Sequence, residues 1–336
     1  MTQPAQHTAA VVSVVQASEH AQTVLDRVEL AVVGKREALT LVLTAILARG
    51  HVLLEDYPGL GKTLAARSFA QALGLDFTRA QFTPDLLPAD LTGAYVYDQK
   101  RSEFDFRAGP LFTGLLLADE INRTPPKTQS ALLEAMQEHQ VTVEGRTFPL
   151  PQPFHVLATA NPVEYEGTYP LPEAQLDRFL MRVSFGYPTQ DEEVDVLRRR
   201  VARRTEDQHL DPVTDADGLL AIQHAIETVP IEDDIATYCV QLAATTRHHA
   251  SVQVGSSPRG SLALMLTARA YAVINGRDYV TPEDVKAVAH SVLDHRISIK
   301  PELWMSSDGG PSVVASALAG ATVPPARDRR AGSAHP

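Results

Sequence analysis

The chain has 336 residues, enough for more than one packed unit, and its 44% hydrophobic and 21% charged content is that of an ordinary globular protein. A formal net charge of -11, with the 30 Lys and Arg residues scattered along the chain, disfavours nucleic-acid binding that depends on neutralising phosphates. One cysteine, Cys239 in the apolar run IATYCVQLAA, excludes an internal disulfide and a Cys-based zinc site, and the 12 histidines show no metal-ligand spacing.

No apolar run approaches the ~20 residues that a membrane span requires. The N-terminus, MTQPAQHTAA, has neither the basic region nor the adjoining apolar stretch of a secretory leader, so a cytoplasmic location is expected. Residues 1–20 are polar and Ala-rich without clear periodicity and read as a mobile tail. A helix follows at EALTLVLTAILA, then a strand at HVLLE, a helix after GKT, and strands near LDFTRAQF and at GLLLAD. A helix over 127–138 is announced by Thr124-Pro125, a cap followed by proline at the first helical position. QVTVEGRTFPL reads as a hairpin about Glu144-Gly145, placed just before a strand at FHVLATA. Buried strands alternating with helices predict a parallel α/β sheet over residues 21–188.

From residue 189 the strand signals give way to helices. Capping boxes stand at Thr189–Glu192 and Thr281–Asp284, and Val285, Val288, Ala289, Val292 and Leu293 share one helical face. Residues 189–305 therefore form a separate helical domain, joined through Tyr187-Pro188. The Gly-, Pro-, Ser- and Ala-rich residues 306–336 read as a flexible tail.

Three stretches carry chemistry. In LLEDYPGLGKTLA, residues 53–65, the run Pro58, Gly59, Leu60, Gly61, Lys62, Thr63 and Leu64 lies between a strand and a helix, the context of a phosphate-binding loop. Consecutive main-chain N–H groups and a helix N-terminus bind an anion, and the glycines let the backbone approach it. Lys62 offers a point charge to the outer phosphates and Thr63 a hydroxyl to Mg²⁺. Asp56 stands where the usual pattern has glycine. Aspartate tolerates left-handed or Asx-turn geometry, and its carboxylate must point away from the phosphates.

The second stretch, LLLADE, ends a buried strand in two adjacent carboxylates, which repel unless a cation is near. Asp119 is expected in the Mg²⁺ shell and Glu120 as the group that polarises the attacking water. The third is FHVLATANP, where proline holds Asn161 extended at the carboxyl edge of the sheet, the side on which open α/β sheets bind ligands.

With QFTPDLLPADLTG at 81–93, RAGPLFTGLLLADEINRTPPKTQSALLEAMQE at 107–138, VLATANPVEYEGTYPLPEAQLDRF at 156–179 and GSSPRGSLAL at 255–264, the chain resembles the MoxR family of AAA+ ATPases. The resemblance implies a P-loop NTPase core with a parallel sheet, a helical lid domain after it, and a homo-oligomeric ring, a hexamer, with ATP between neighbours. It makes Asn161 sensor 1, Arg178 the arginine finger offered to the neighbour, and Arg259 sensor 2, reaching from the lid to the nucleotide of its own subunit. Arg123 and Arg182 stand as alternative fingers. Gly34, in Val33-Gly34-Lys35, would line the adenine pocket. Residues 94–106 would be an insertion in helix 2 and 140–150 a hairpin before sensor 1, both used in handling substrates.

ATP with Mg²⁺, a client protein and a partner bearing a von Willebrand factor A domain follow from the same likeness. They point to chaperone-like remodelling, maturation or activation of other proteins driven by ATP hydrolysis. Two other readings stay open: a nucleotide-gated scaffold with little turnover, and a chelatase- or helicase-type AAA+ motor.

Overall fold

A computed structural model describes residues 12–162, 167–205, 208–303 and 309–324. In chain order the first part contains α1 (Val14–Glu29), α2 (Arg36–Leu47), β1 (Val52–Glu55), α3 (Lys62–Ala72), β2 (Phe77–Gln81), α4 (Pro88–Thr92) and the hairpin β3 (Gly93–Asp98) with β4 (Glu103–Ala108). It continues with β5 (Leu115–Asp119), α5 (Pro126–Glu138), the hairpin β6 (Gln140–Val143) with β7 (Arg146–Pro149), β8 (His155–Ala160), α6 (Glu173–Leu176) and β9 (Met181–Val183). The expected parallel sheet is present. Its five strands run in the order β2-β5-β8-β1-β9, with Leu117 opposite Leu157 and Leu53 opposite Ala158.

Continuous apolar strands need cover on both faces, and the burial shows it: every residue of β5 and β8 is buried. Alternate residues then sort to opposite sides. Leu54, Leu115, Leu117 and Leu157 pack with the buried faces of α1, α2 and α3, whereas Leu53, Leu116, Val156 and Ala158 pack with Leu132, Leu133 and Met136 of α5. Strand β9 carries no signal of its own in the sequence, because it is three residues long with Arg182 at its centre.

Both hairpins form. In the second, Glu144 and Gly145 have φ of 49° and 77°, the paired positive values that a tight two-residue turn requires. The two hairpins lean on one another, with Phe106 of β4 stacked on Phe148 of β7 at 4.0 Å between ring centroids.

The second part comprises α7 (Gln190–Arg203), α8 (Ala216–Glu227), α9 (Asp233–His248), β10 (Val252–Val254), α10 (Pro258–Ile274), α11 (Pro282–Leu293), β11 (Ser298–Ile299) and α12 (Gly310–Gly320). Both capping boxes are made, at Thr189 and Thr281. Among helices alone the sequence did not announce β10 and β11, which pair as a small antiparallel ladder.

Four expectations need correction. Residues 14–20 are not tail: they begin α1, capped by Ser13 with Gln16, and Ala17 and Ala21 are buried, the apolar face being disguised by small residues. Residues 310–320 likewise form α12, with Val313, Val314 and Ala317 buried against neighbouring helices. Of the remaining tail residues, 1–11, 306–308 and 325–336 lie outside the described residues. At α5 the cap is Pro125, with Pro126 at the first helical position, while the hydroxyl of Thr124 is spent on the carbonyl of Thr83 at 2.7 Å. Nor is the helical part insulated from the sheet. Helix α10 packs on α1 and α2, and one apolar cluster runs through all three.

Cys239 is buried and burial pushes its thiol up to about 12, so it serves as a small core residue. Two buried histidines stand at the amino ends of β1 and β8. His51 accepts at Nδ1 from the N–H of Val156 and meets the carbonyl of Met136 through Nε2, while His155 contacts the carbonyl of Gly50 and the amide of Gln223. Burial pulls them down to about 3 and about 4, with neighbouring imidazoles adding to the effect. Both are therefore neutral when folded, and the unfolded chain takes up protons below ~6.5 that the folded chain refuses. Stability contributed by these groups is complete above pH ~6.5 and declines as pH falls toward the folded values. The thermal midpoint is expected to fall between pH 6.5 and 4.5, and a flat profile over that window would show that the imidazoles are not held neutral.

Candidate nucleotide site

Strands β1, β5 and β8 end side by side, so that Glu55 is level with Ala160, and Asp119 with Gln81 of β2. Above these ends lies a cleft of about 340 Å³ lined by Pro58, Gly59, Leu60, Gly61, Lys62, Thr63 and Leu64 together with Asp119, Glu120, Thr159, Ala160 and Asn161. Three separate sequence stretches thus converge at the carboxyl edge of the sheet.

The loop is shaped as a cradle. Gly59 and Gly61 both hold φ of 83°, and a Cβ built on either would meet nothing within 4 Å. Glycine is needed there for the backbone alone, and the space it leaves open is where an anion approaches. Gly61 caps α3, so the helix N-terminus faces the same space. Lys62 donates to the carbonyls of Asp56 at 2.5 Å and Tyr57 at 3.0 Å. Burial lowers it below the usual lysine value, opposed by Asp56, Asp119 and Glu120.

Asp56 is explained differently from the sequence expectation. It is absent from the positive-φ residues, so its position does not demand left-handed geometry. Its side chain is buried and turned away from the cradle, and Oδ2 accepts from the N–H groups of Phe185 and, at 3.0 Å, Gly186. It ties the base of the loop to the segment leading into the helical domain. Asp56→Ala strands the buried N–H of Phe185 and the part-buried N–H of Gly186, and a loss of about 2–4 kcal/mol in stability is expected. ATP affinity of the folded Asp56→Gly chain should stay within about tenfold of wild type, since no contact to the cradle is lost. Calorimetric unfolding and nucleotide titration separate the two effects, and unaltered stability would contradict the structural role.

At the tip of β5 the two carboxylates already have cationic neighbours. Arg79 of β2 reaches Asp119 Oδ2 through Nε at 2.9 Å and Nη2 at 2.6 Å, and Arg123 lies 3.3 Å from Glu120. The sequence reading asked for a cation near the pair, and two arginines supply positive charge there beside any metal ion. Thr159 bridges the strands: its hydroxyl donates to Asp119 Oδ1 at 2.6 Å and accepts from the N–H of Glu120 at 2.8 Å. Glu120 has φ 59° and ψ 50°, a conformation costly for a residue with a Cβ. Its Oε2 also accepts from Gln81 at 2.6 Å.

Arg79 and Thr159 were missed in the sequence. Thr159 is the penultimate residue of β8, two before Asn161, and at the carboxyl edge of the sheet that position reaches the site; nothing local points to Arg79, which meets Asp119 only across the β2–β5 ladder.

The donor set fits Mg²⁺. Thr63 and Asp119 line one cleft, and Oδ1 of Asp119, which accepts from Thr159 alone, keeps a lone pair for the ion. Among the described residues no cluster of three or more His, Cys, Asp or Glu forms a separate metal site.

The remaining predicted residues are elsewhere. Gly34, at φ 70°, lies outside the cleft lining and packs against the first turn of α7, where a Cβ would come within 2.3 Å of Glu192. Arg178 and Arg259 line a second hollow, together with Arg49, His51, Asp177 and Arg296, and no residue of the phosphate loop lines it. Arg259, expected to reach the nucleotide of its own subunit, lines the hollow of Arg178 and is not among the residues lining the cleft of the phosphate loop. The lid carries it to the side where Arg178 stands. The alternative fingers are committed within the chain, Arg182 to Glu55 at 2.9 Å and Arg123 to Glu120.

A parallel sheet with a phosphate loop after its first strand, paired carboxylates at the tip of β5 and a helical lid define an AAA+ nucleotide-binding fold. Residues 51–181 match the ATPase family associated with various cellular activities (AAA), and residues 244–313 match the AAA lid domain. The chain is 49% identical to the uncharacterized protein YeaC of Bacillus subtilis, covering 89% of this chain and 93% of that one. It is 44% identical to the chaperone MoxR1 of Mycobacterium tuberculosis, covering 79% of this chain and 72% of that one. A crystal structure of a candidate ATPase from Cytophaga hutchinsonii superposes with a TM-score of 0.87 at 40% identity, over 93% of this chain and 97% of the other. The chain belongs to the MoxR family of AAA+ ATPases. Among the described residues no helix is long and apolar enough to cross a membrane.

Proposed function

We propose that this chain binds ATP with Mg²⁺ and hydrolyses it in a homo-oligomeric ring, a hexamer in the family pattern, to remodel, mature or activate partner proteins in the cytoplasm. One observation carries the proposal: the cradle and its carboxylates share one cleft, while Arg178 and Arg259 line a different hollow of the same chain. A chain so built has both halves of a hydrolytic site but does not join them by itself. Two copies side by side would.

Main-chain N–H groups of the loop hold the phosphates, and Lys62 leaves the carbonyls of Asp56 and Tyr57 to meet the outer ones. Thr63 and Asp119 would hold Mg²⁺, which supplies charge neutralisation on the phosphate oxygens when bound. Glu120 accepts the proton of the attacking water or orients it, and Asn161 positions that water at the strand end. Arg178 and Arg259 of a neighbouring copy stabilise charge developing on the transferred phosphoryl group. Arg259 is thus proposed to serve the neighbour rather than its own subunit. Gly34 at the base end of the nucleotide rests on the family resemblance alone, as does a von Willebrand factor A domain protein as partner.

The test is phosphate release from ATP by the assembled protein, expected to require Mg²⁺ and to cease on chelation. Tight nucleotide binding without release would favour the nucleotide-gated scaffold instead.

A further inference from the structure

The hollow that holds Arg178 and Arg259 is organised around one carboxylate. Asp177 immediately precedes Arg178. Its Oδ1 accepts from Nε of Arg296 at 2.8 Å, and its Oδ2 accepts from the hydroxyl of Ser257 at 3.3 Å. Arg296 follows α11 in the helical domain, and its side chain is 3% exposed. Its guanidinium extends past Asp177 to the carbonyls of Phe179, at 2.7 Å from Nη2, and Leu180, at 3.2 Å from Nη1. One buried cation from the lid therefore grips the carboxylate that precedes Arg178 and the backbone that follows it. Phe179, the next residue, is fully buried, and His295 adds a contact to its carbonyl at 3.1 Å.

Ser257 carries the same network to the second arginine. It is the N-cap of α10, and its Oγ accepts from the N–H of Arg259 at 3.2 Å while its proton goes to Asp177. An arginine's fork satisfies several acceptors at once, and a buried ion pair of this kind fixes geometry more than it adds stability. Three side chains from separate stretches thus set where the two arginines are presented.

We infer that Asp177, Arg296 and Ser257 are positioning residues that hold Arg178 and Arg259 as one rigid pair for delivery to a neighbouring copy's nucleotide. This rests on the proposal that both arginines act on the neighbour. A pair held in register explains why a lid residue and a core residue can address one phosphoryl group: an error of an ångström in either would weaken transition-state contact without altering nucleotide binding.

The experiment compares Asp177→Asn, Arg296→Lys, Ser257→Ala, Arg178→Ala and Arg259→Ala in steady-state hydrolysis and in binding of a fluorescent ATP analogue. Each of the first two is expected to lower kcat at least tenfold, and Ser257→Ala about threefold, with analogue affinity unchanged because the chain's own cradle is intact. Mixing Asp177→Asn with Lys62→Ala is expected to restore part of the hydrolysis, since one chain supplies a sound cradle and the other a sound arginine pair. A role in folding alone would give no such rescue, and its absence would overturn the inference. Wild-type kcat in Asp177→Asn and Arg296→Lys, with kcat lost in Arg178→Ala and Arg259→Ala, would overturn it while leaving the proposed site standing. Wild-type kcat in both alanine variants would remove the site reading and this inference together. If Asp177→Asn does not fold, Ser257→Ala mixed with Lys62→Ala decides by the same criteria.

Discussion

Glu120→Gln is expected to bind ATP as the wild-type chain does and to release phosphate at least about 10²-fold more slowly. The substitution keeps the shape of the side chain and its contact with Gln81 but removes the carboxylate's capacity to take a proton. Arrested with nucleotide in place, that chain should also retain client proteins on affinity capture. A second substitution exposes the conformational cost of the position. Glu120 holds φ 59° at the end of a fully buried strand, pinned by the bond from its N–H to Thr159. Glycine adopts this geometry without the clash of a Cβ, so Glu120→Gly should be equally inactive and more stable than Glu120→Gln by up to about 1 kcal/mol. Equal thermal midpoints for the two would show that the conformation carries no penalty. Undiminished phosphate release in Glu120→Gln would refute the assignment of Glu120 itself.

Mixing Arg178→Ala with Lys62→Ala is expected to recover hydrolysis that neither chain shows alone. An arginine brought to the transferred phosphoryl group can contribute about 10³-fold or more in rate, so each single variant should be nearly inactive. In a mixed ring some interfaces join the intact cradle of one chain to the intact arginine of the other. The same recovery is expected for Arg259→Ala, because Arg259 lines the hollow of Arg178 and not the cleft of the phosphate loop. If Arg259→Ala is not rescued whereas Arg178→Ala is, Arg259 acts within its own subunit, and the lid must move to bring it there.

Local residue patterns were sufficient for the elements whose chemistry is local. Gly59, Gly61, Lys62 and Thr63 declare a phosphate loop because backbone approach, a helix N-terminus, a point charge and a hydroxyl must follow one another in a fixed order along the chain. The two capping boxes, the Glu144-Gly145 turn and the apolar strands ending in Asp119 and Asn161 were legible for the same reason: each is a rule about neighbours. Helices α1 and α12 were not, since alanine and glycine give a weak apolar stripe until a partner surface covers it.

What the sequence by itself determined is the nucleotide-binding core, its loop, its paired carboxylates and its family, all encoded in short contiguous runs whose spacing is set by backbone geometry. Tertiary structure alone decided that Asp56 braces Phe185 and Gly186, that Arg79 and Thr159 share Asp119, and that Arg259 stands beside Arg178 instead of beside Lys62. Each of these joins residues between about 40 and 130 positions apart. Hydrogen bonds and charges act over a few ångströms of space whatever the separation in sequence, so only the packing of sheet, hairpins and lid could select these partners.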